Sequence, residues 1–470
     1  MKNKPNFMII ISDCTRPDKL SCYGYEKNIT PNIDNFAKQG TIFLNAVTQG
    51  VWTLPTHASL FSGQYPFEHG LYYATEDLDI KLKNKTNILT NQLKKHGYIT
   101  AGISNNPWVG KLSRMDKDFD FFMESDGATR NNLDLDINLP IKISMMNQIQ
   151  KKKGSFFFKL LIPYLIKRPE FTDFSIETAK KIINYSKKNN KPFFIFMNLM
   201  DTHQPYYPPL KILNKISEKR YYPFSSIVDN IKIRSFFQGN KSEKTIKILN
   251  DYYNASLNYQ DKQIGNLFDF MKKNNSLDNT VIFFTSDHGK NLGEYDIDDD
   301  INYVKDIILK VPLIVRYPRL FPKNKKIINN VQLIDINYTI KKILGIKTNH
   351  SFDVSLLDSI KKEKNKFCYS EAKLPYTFFN NKEKDLNFDY IEIFKNKDRK
   401  FFISKNRGYA HCKYSKDGED FIYNRSSIDD ELLEYFNEQK ERFEFSEKKQ
   451  IKDIVKNKII GDLIQNKNSK

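Results

Sequence analysis

Three apolar runs in this chain end abruptly in acidic and imidazole side chains, and a fourth segment sets a hydroxyl at the start of a helix. Residues 6 to 12 (Asn-Phe-Met-Ile-Ile-Ile-Ser) lead into Asp13, Pro192 to Leu199 leads into Asp201-Thr202-His203, and Thr280 to Ser286 leads into Asp287-His288-Gly289. A single Asp after a strand is commonly a helix cap. Three strand ends carrying Asp, Asp with His, and Asp with His are first candidates for chemistry, because ligands gather outside the carboxyl ends of parallel strands. The segment Trp52-Thr53-Leu54-Pro55-Thr56-His57-Ala58-Ser59-Leu60-Phe61-Ser62-Gly63 puts Thr53 just before a Pro-fixed turn, with Ala58 to Ser62 continuing as a helix closed by Gly63. Unpaired N–H groups and the helix dipole favour an anion at such a terminus. Thr53 either meets that anion or caps the helix.

The elements that must position these residues alternate. Continuous apolar runs at 6–12, 99–103, 192–199, 280–286 and 311–317 have the pattern of strands covered on both faces. Helical patterns lie between them, the clearest running from Thr30 through Pro31 to Gly40, with Thr at the N-cap, Pro at the first helical position and Gly past the end. This alternation predicts an α/β fold, a doubly wound, mostly parallel sheet flanked by helices, over residues 1–345. Residues 148–170 interrupt it with a basic, aromatic, amphipathic segment, in which 151–168 either docks on the sheet or touches a membrane surface. From about 346 to 470, short runs at 366–369, 389–394 and 400–404 predict a smaller C-terminal α+β subdomain with a small antiparallel sheet, and Lys-rich helical sequence follows from Ile428.

Composition bounds the partners. The 470 residues carry 75 Lys plus Arg against 56 Asp plus Glu, a formal charge of +19, with 36 Phe and 26 Tyr. Such a chain can bury a sizeable core, which argues against global disorder. The excess of Lys, Asn and Ile with only 18 Gly is what an AT-rich genome produces, so the charge reads as solvated Lys rather than a nucleic-acid groove. Four Cys, at 14, 22, 368 and 412, have no paired spacing and read as thiols outside any disulfide framework. Phe7 to Ile11 is shorter than the roughly 7 to 15 residues of a signal-peptide core, and no run reaches the roughly 18 of a membrane span. The expectation is a cytoplasmic, soluble protein. His69, His96, His350 and His411 are expected to serve structure or surface, while Asn105, Asn106 and Trp108 either line the pocket or form plain loop.

Taken in order, these segments resemble the sulfatase family of the alkaline phosphatase superfamily. Asp13 to Tyr25 looks like its N-terminal metal-binding segment, Thr30 to Asp34 like the helix that follows, and Thr53 to Gly63 like its nucleophile motif. Asp201-Thr202-His203-Gln204-Pro205 resembles its substrate-contact segment, Thr285 to Glu294 its second metal segment, and Lys310 to Ile314 the strand after that. The resemblance implies that Asp13, Thr53, Asp287 and His288 hold one divalent metal ion and that His203 contacts the substrate's anionic group. Such a mixed O/N set suits Mn²⁺ or Ca²⁺, with Zn²⁺ also compatible.

Departures from the pattern decide the expected chemistry. Sulfatases carry a Cys or Ser at the Thr53 position, oxidised to an aldehyde whose hydrate attacks sulfur, and Thr is not a substrate for that conversion. A Thr there resembles the relatives that transfer phosphoethanolamine or phosphoglycerol. The usual Arg two residues after the Pro is His57, and the second Asp that normally follows Asp13 is Cys14. The Lys or His usual before the Val-Pro strand is replaced by Asp296, Asp298, Asp299 and Asp300, leaving Lys290 or Lys305 to compensate. The resemblance thus implies cleavage or transfer of a phosphate ester, in a phosphorylated glycan or lipid headgroup, through a Thr53 nucleophile, with His57, His203 and Lys290 neutralising the remaining oxygens. Two alternatives stand beside it: a sulfuric ester hydrolase lacking the aldehyde, and a silent binder of an anionic glycan or lipid headgroup.

Overall fold

Phe7, Ile9 and Ile11 belong to one hydrophobic layer, and Met8 and Ile10 to another on the opposite side of the same strand. Successive strand residues point to opposite faces, so a strand coated on both sides must be apolar throughout, which is why these runs do not alternate with polar residues. A computed structural model of the chain describes residues 4–72, 88–124, 127–137, 169–223, 225–239, 241–294, 306–348, 354–361 and 368–373, together with strands at 390–395, 399–404, 408–415 and 418–422.

The large sheet contains β1 (Asn6–Ser12), β2 (Thr41–Val47), β3 (Ile99–Ser104), β4 (Phe121–Glu124) and β5 (Gly127–Asn131). It continues with β6 (Phe193–Leu199), β7 (Thr280–Thr285), β8 (Lys310–Arg316) and β9 (Lys325–Gln332), in the spatial order β5-β4-β3-β6-β1-β7-β8-β2-β9. β4, β3, β6, β1 and β7 run parallel to one another, β5 lies antiparallel to β4 at one edge, and β8 lies antiparallel between β7 and β2. The fold is therefore the mostly parallel α/β sheet that the alternation predicts.

Register decides where the chemistry falls. Ile11 of β1 stands opposite Asn198 of β6 and Thr285 of β7, and Ser104 of β3 stands opposite Asn198. The residues that follow β1, β3 and β7, namely Asp13, Asn106 and Asp287, thus emerge side by side at one rim.

Helices cover both faces. On one side α1 (Pro31–Lys38) packs Ile33, Phe36 and Ala37 with Leu249, Tyr252 and Ile264 of the long helix Glu243–Lys273. On the other, α2 (Thr53–Ser62) packs Leu54, Ala58, Leu60 and Phe61 against Phe194 and Phe196 of β6. The first turn of α1 is satisfied from a distance. Thr30 stands at its N-cap but bonds the Asp34 carboxylate, while Asp261 of the long helix accepts from Ile33 N at 2.7 Å, Asn32 N at 3.2 Å and Asn32 Nδ2 at 2.8 Å.

A second sheet is an antiparallel meander of β10 (Cys368–Lys373), β11 (Tyr390–Lys395), β12 (Arg399–Ser404), β13 (Gly408–Ser415) and β14 (Gly418–Ile422). Its first strand is tied to the loop that feeds α2. Ser370 Oγ donates to Thr48 O at 2.5 Å and Glu371 N to Gln49 O at 2.9 Å. The buried Glu371 carboxylate accepts from Tyr72 Oη at 2.6 Å, Tyr369 Oη at 2.7 Å and Phe67 N at 3.2 Å. No helix among the described residues is long and apolar enough to cross a membrane. The basic aromatic stretch 148–168, Asp296 to Asp300, Lys305, His350 and the sequence from Ile428 onward lie outside the described residues.

Burial pushes the Asp261 carboxyl up to about 6, with the α1 amides pulling the other way. The folded state then binds the proton more tightly than the unfolded state, so this group favours folding at low pH and that contribution is lost as pH rises through the window. In denaturant titrations, the stability of Asp261→Asn relative to wild type is expected to rise between about pH 4 and about pH 6.5 and to level off above it.

Candidate active site

Asp13 is fully buried at the end of β1, its backbone N–H donating to Leu199 O at 2.9 Å. Its Oδ2 accepts from Asn106 Nδ2 at 2.9 Å and from Asn198 Nδ2 at 3.3 Å, and its Oδ1 accepts from the Cys14 thiol at 3.3 Å. Cys14 adopts a left-handed backbone, φ 62°, which turns its N–H onto Asp287 Oδ1 at 3.2 Å. Asp287 Oδ1 also accepts from His288 N at 3.0 Å, while Asp287 Oδ2, fully buried, has no hydrogen-bond partner among the described residues. His288 Nδ1 donates to Gly289 O at 2.7 Å, which leaves Nε2, 3.6 Å from Asp287 Oδ2, as the nitrogen that could serve a metal.

Thr53 is brought to the same place by α2. The helix begins one turn earlier than Ala58, at Thr53 itself, with Trp52 at the N-cap and Gly63 closing it at φ 71°. Pro55 fits because the first helical N–H groups have no intrahelical acceptor to lose. The Thr53 side chain does not cap: its Oγ1 lies 3.2 Å from Asn106 Nδ2. Asn106 is oriented by Trp108 N, which donates to its Oδ1 at 3.0 Å, so its amino group faces Asp13 and Thr53 together. His57, one turn further along α2, donates from Nδ1 to Thr53 O at 2.8 Å and accepts at Nε2 from Asn198 Nδ2 at 3.3 Å. Its ring stands edge-on to Phe196.

Other predicted residues surround this centre. His203 is half-buried and donates from Nδ1 to Gln204 O at 2.5 Å. Lys290 is buried two residues after His288, its ammonium 4.4 Å from the centre of the Phe237 ring. Arg16 bonds Asp18, Glu294 and Lys290 O, tying the segment after β1 to the segment after β7. His69 is buried against Ser59 Oγ at 3.1 Å and Leu71 N at 3.1 Å, behind the site.

Asn198 and the hydroxyl network were invisible to motif reading. Thr202 Oγ1 donates to Asp13 O at 2.6 Å and lies 3.1 Å from Thr15 Oγ1, and Ser12 Oγ bonds Gln260 of the long helix. Gln260 Nε2 in turn donates to Asp201 Oδ2 at 3.0 Å. The one available signal for Asn198 was a polar residue inside an otherwise apolar run at the rim.

Two carboxylates this close in a water-poor pocket call for a cation. Asp13, Asp287 and His288 offer ligand atoms within 4.8 Å of one another, and so do Asp13, Cys14 and His203. Burial alone raises the Asp13 carboxyl, but the imidazoles of His203, His288 and His57 and the Asn106 amide outweigh it, and the net shift is downward. The donor set and the orphaned Asp287 oxygen fit a divalent ion.

An α/β sheet with carboxylates, imidazole and a hydroxyl gathered at the carboxyl ends of its strands offers a ligand group suited to a divalent ion. Residues 5–346 match the sulfatase family model, and the chain belongs to that family, within the alkaline phosphatase superfamily, whose members typically use a divalent metal. The chain is 25% identical over 378 residues to an ulvan-active sulfatase of Formosa agariphila, covering 78% of this chain and 61% of that protein. It is 24% identical over 355 residues to the multifunctional alkaline phosphatase superfamily protein PehA of Trinickia caryophylli, covering 67% of this chain and 68% of that one. The match to the mouse iduronate 2-sulfatase spans 59% of that enzyme's length. Among solved structures, the phosphonate monoester hydrolase of Agrobacterium radiobacter aligns with TM-score 0.67 at 16% identity, over 94% of this chain and 95% of that one.

Manganese at about 100 times its dissociation constant is expected to stabilise the fold by about 2.7 kcal/mol, read as a raised melting temperature that a chelator reverses. Asp287→Asn should abolish most of that rise.

Proposed function

We propose that this chain is a metal-dependent phosphoester hydrolase or phosphotransferase with Thr53 as its nucleophile. The observation that carries the reading is the Asn106 amide, which donates at once to Thr53 Oγ1 at 3.2 Å and Asp13 Oδ2 at 2.9 Å. Sharing one donor holds the hydroxyl oxygen and the carboxylate close together, which supports their meeting one cation. Asp13, Asp287, His288 and Thr53 would hold that cation, which when bound supplies charge stabilisation and a lowered hydroxyl pKa.

The protein's own groups do the rest. Thr53 Oγ gives up its proton to solvent and attacks phosphorus, the P–O bond to the ester oxygen breaks and that oxygen takes a proton from His203 to leave as an alcohol, and the phosphoryl group stays on Thr53 until water or an acceptor alcohol removes it. Asn106 holds the attacking oxygen in place. His203, anchored through Nδ1 at the half-open rim, presents Nε2 for proton exchange with the leaving oxygen. His57 has both ring nitrogens engaged, at Thr53 O and Asn198, so we assign it to positioning the first turn of α2 rather than to touching substrate. Lys290, two residues after His288 and with its ammonium over the Phe237 ring, adds positive charge to this end of the sheet. The substrate class this supports is an anionic phosphate ester on a glycan or lipid headgroup.

A second reading, hydrolysis of sulfate esters without an aldehyde, draws support from the sulfatases among the relatives. Its chemistry is weaker, because the aldehyde hydrate is what expels sulfate from the covalent intermediate. A silent binder is the third, favoured by Cys14 in place of Asp.

The readings separate in parallel assays of aryl phosphate monoesters, phosphodiesters and aryl sulfates with Mn²⁺. Thr53→Ala and Asp287→Asn are expected to lower phosphoester kcat/KM by about a hundredfold or more. Sulfate turnover that survives Thr53→Ala would remove the proposal, and binding of glycans or lipids without turnover would favour the silent binder. Asn106→Ala should lower kcat by about tenfold to a hundredfold with KM little changed, the signature of lost positioning.

A further inference from the structure

We infer that Cys14 is a metal ligand, and that its thiolate turns the preference of this centre from Ca²⁺ and Mg²⁺ toward Zn²⁺. The inference rests on the metal reading of the site and concerns which ion it takes. Cys14 is fully buried, its Sγ 3.3 Å from Asp13 Oδ1 and 3.9 and 4.0 Å from the two ring nitrogens of His288. Asp13, Cys14 and His203 offer donor atoms within 4.8 Å of one another, and Asp13 belongs also to the group of Asp287 and His288, from which the imidazole ligand comes while His203 stays on the substrate side. Into the same pocket faces the buried Asp287 Oδ2, with no hydrogen-bond partner among the described residues.

The backbone makes this placement at a cost. A residue with a β-carbon at φ 62° is strained, and here the strain turns the Cys14 N–H onto one carboxylate and the sulfur onto the other. A Ser would donate to Asp13 as well as a thiol does, so hydrogen bonding alone gives no reason for sulfur. Ligand softness does. Hard cations such as Ca²⁺ and Mg²⁺ prefer oxygen throughout, whereas a thiolate beside imidazole and carboxylate is a Zn²⁺ set. On binding, the S–H proton leaves to solvent and the sulfur pair goes to the ion, with no redox change.

The test uses the full chain loaded with Co²⁺ as a spectroscopic stand-in for Zn²⁺, and chelator competition for Zn²⁺, Mg²⁺ and Ca²⁺. Wild type is expected to show a near-ultraviolet sulfur-to-cobalt charge-transfer band that Cys22→Ser keeps and Cys14→Ser loses. Cys14→Ser should weaken Zn²⁺ binding by about tenfold to a hundredfold while changing Mg²⁺ and Ca²⁺ affinity by no more than about threefold, and Cys14→Asp should reverse the preference. Because Ser preserves the hydrogen bond to Asp13, a merely structural thiol would leave Zn²⁺ affinity unchanged. Cobalt bound without the sulfur band, and lost in Asp287→Asn, overturns the role of Cys14 and leaves the metal centre standing. Failure of wild type to bind any of these ions overturns both.

Discussion

Two carboxylates that cannot both remain buried without a positive partner are the constraint around which this fold is arranged. Asp13 and Asp287 sit at the ends of neighbouring parallel strands, each without access to water, and one oxygen of Asp287 has nothing to accept from among the described residues. Moving an unpaired charge into such surroundings costs several kcal/mol. The surrounding groups answer it in layers: amide donors from Asn106 and Asn198 on Asp13, backbone N–H groups from Cys14 and His288 on Asp287, and imidazoles on the open side. Those layers come from four segments of the chain, at the ends of β1, β3, β6 and β7, and only the correct sheet order brings them together.

The strand register converts one-dimensional pattern into that convergence. Because β6, β1 and β7 run the same way and end level, a residue one or two positions past each strand lands within reach of its neighbours. Antiparallel neighbours would have scattered the same residues to opposite rims. The helix carrying Thr53 joins from another direction, held by Asn106 at its side chain and by His57 at its carbonyl. Core and site are continuous there, since Phe196 packs on both His57 and Phe61.

Much of this was legible in the residues themselves. The five apolar runs became β1, β3, β6, β7 and β8 to within a residue or two at either end, because a strand buried on both faces has no option but to be apolar. Asp13, Asp287 and His288 stood out because polar residues directly after such runs have one location in a parallel sheet. β2 and β9 were missed: Thr41, Asn45, Lys325 and Lys326 dilute the apolar signal of strands near the sheet edge. The early start of α2 was missed because Pro55 reads as a turn unless it is known to occupy a first helical turn. Asn198 and Gln260 were illegible for a different reason. Their partners lie 185 and 248 residues away, so the local pattern shows only a polar break in an apolar run at Asn198 and nothing at Gln260.

The strand that opens the small meander has a role out of proportion to its six residues. Ser370 and Glu371 grip Thr48 and Gln49, and a backbone bridge pairs Glu371 with Gly50, three positions before Thr53. Gly50 is itself held so close to Pro55 that a side chain there would collide with the ring. The loop that leads into Thr53 is therefore braced by sequence more than three hundred residues downstream, and a shortened version ending with the large sheet would keep every proposed ligand while losing that buttress.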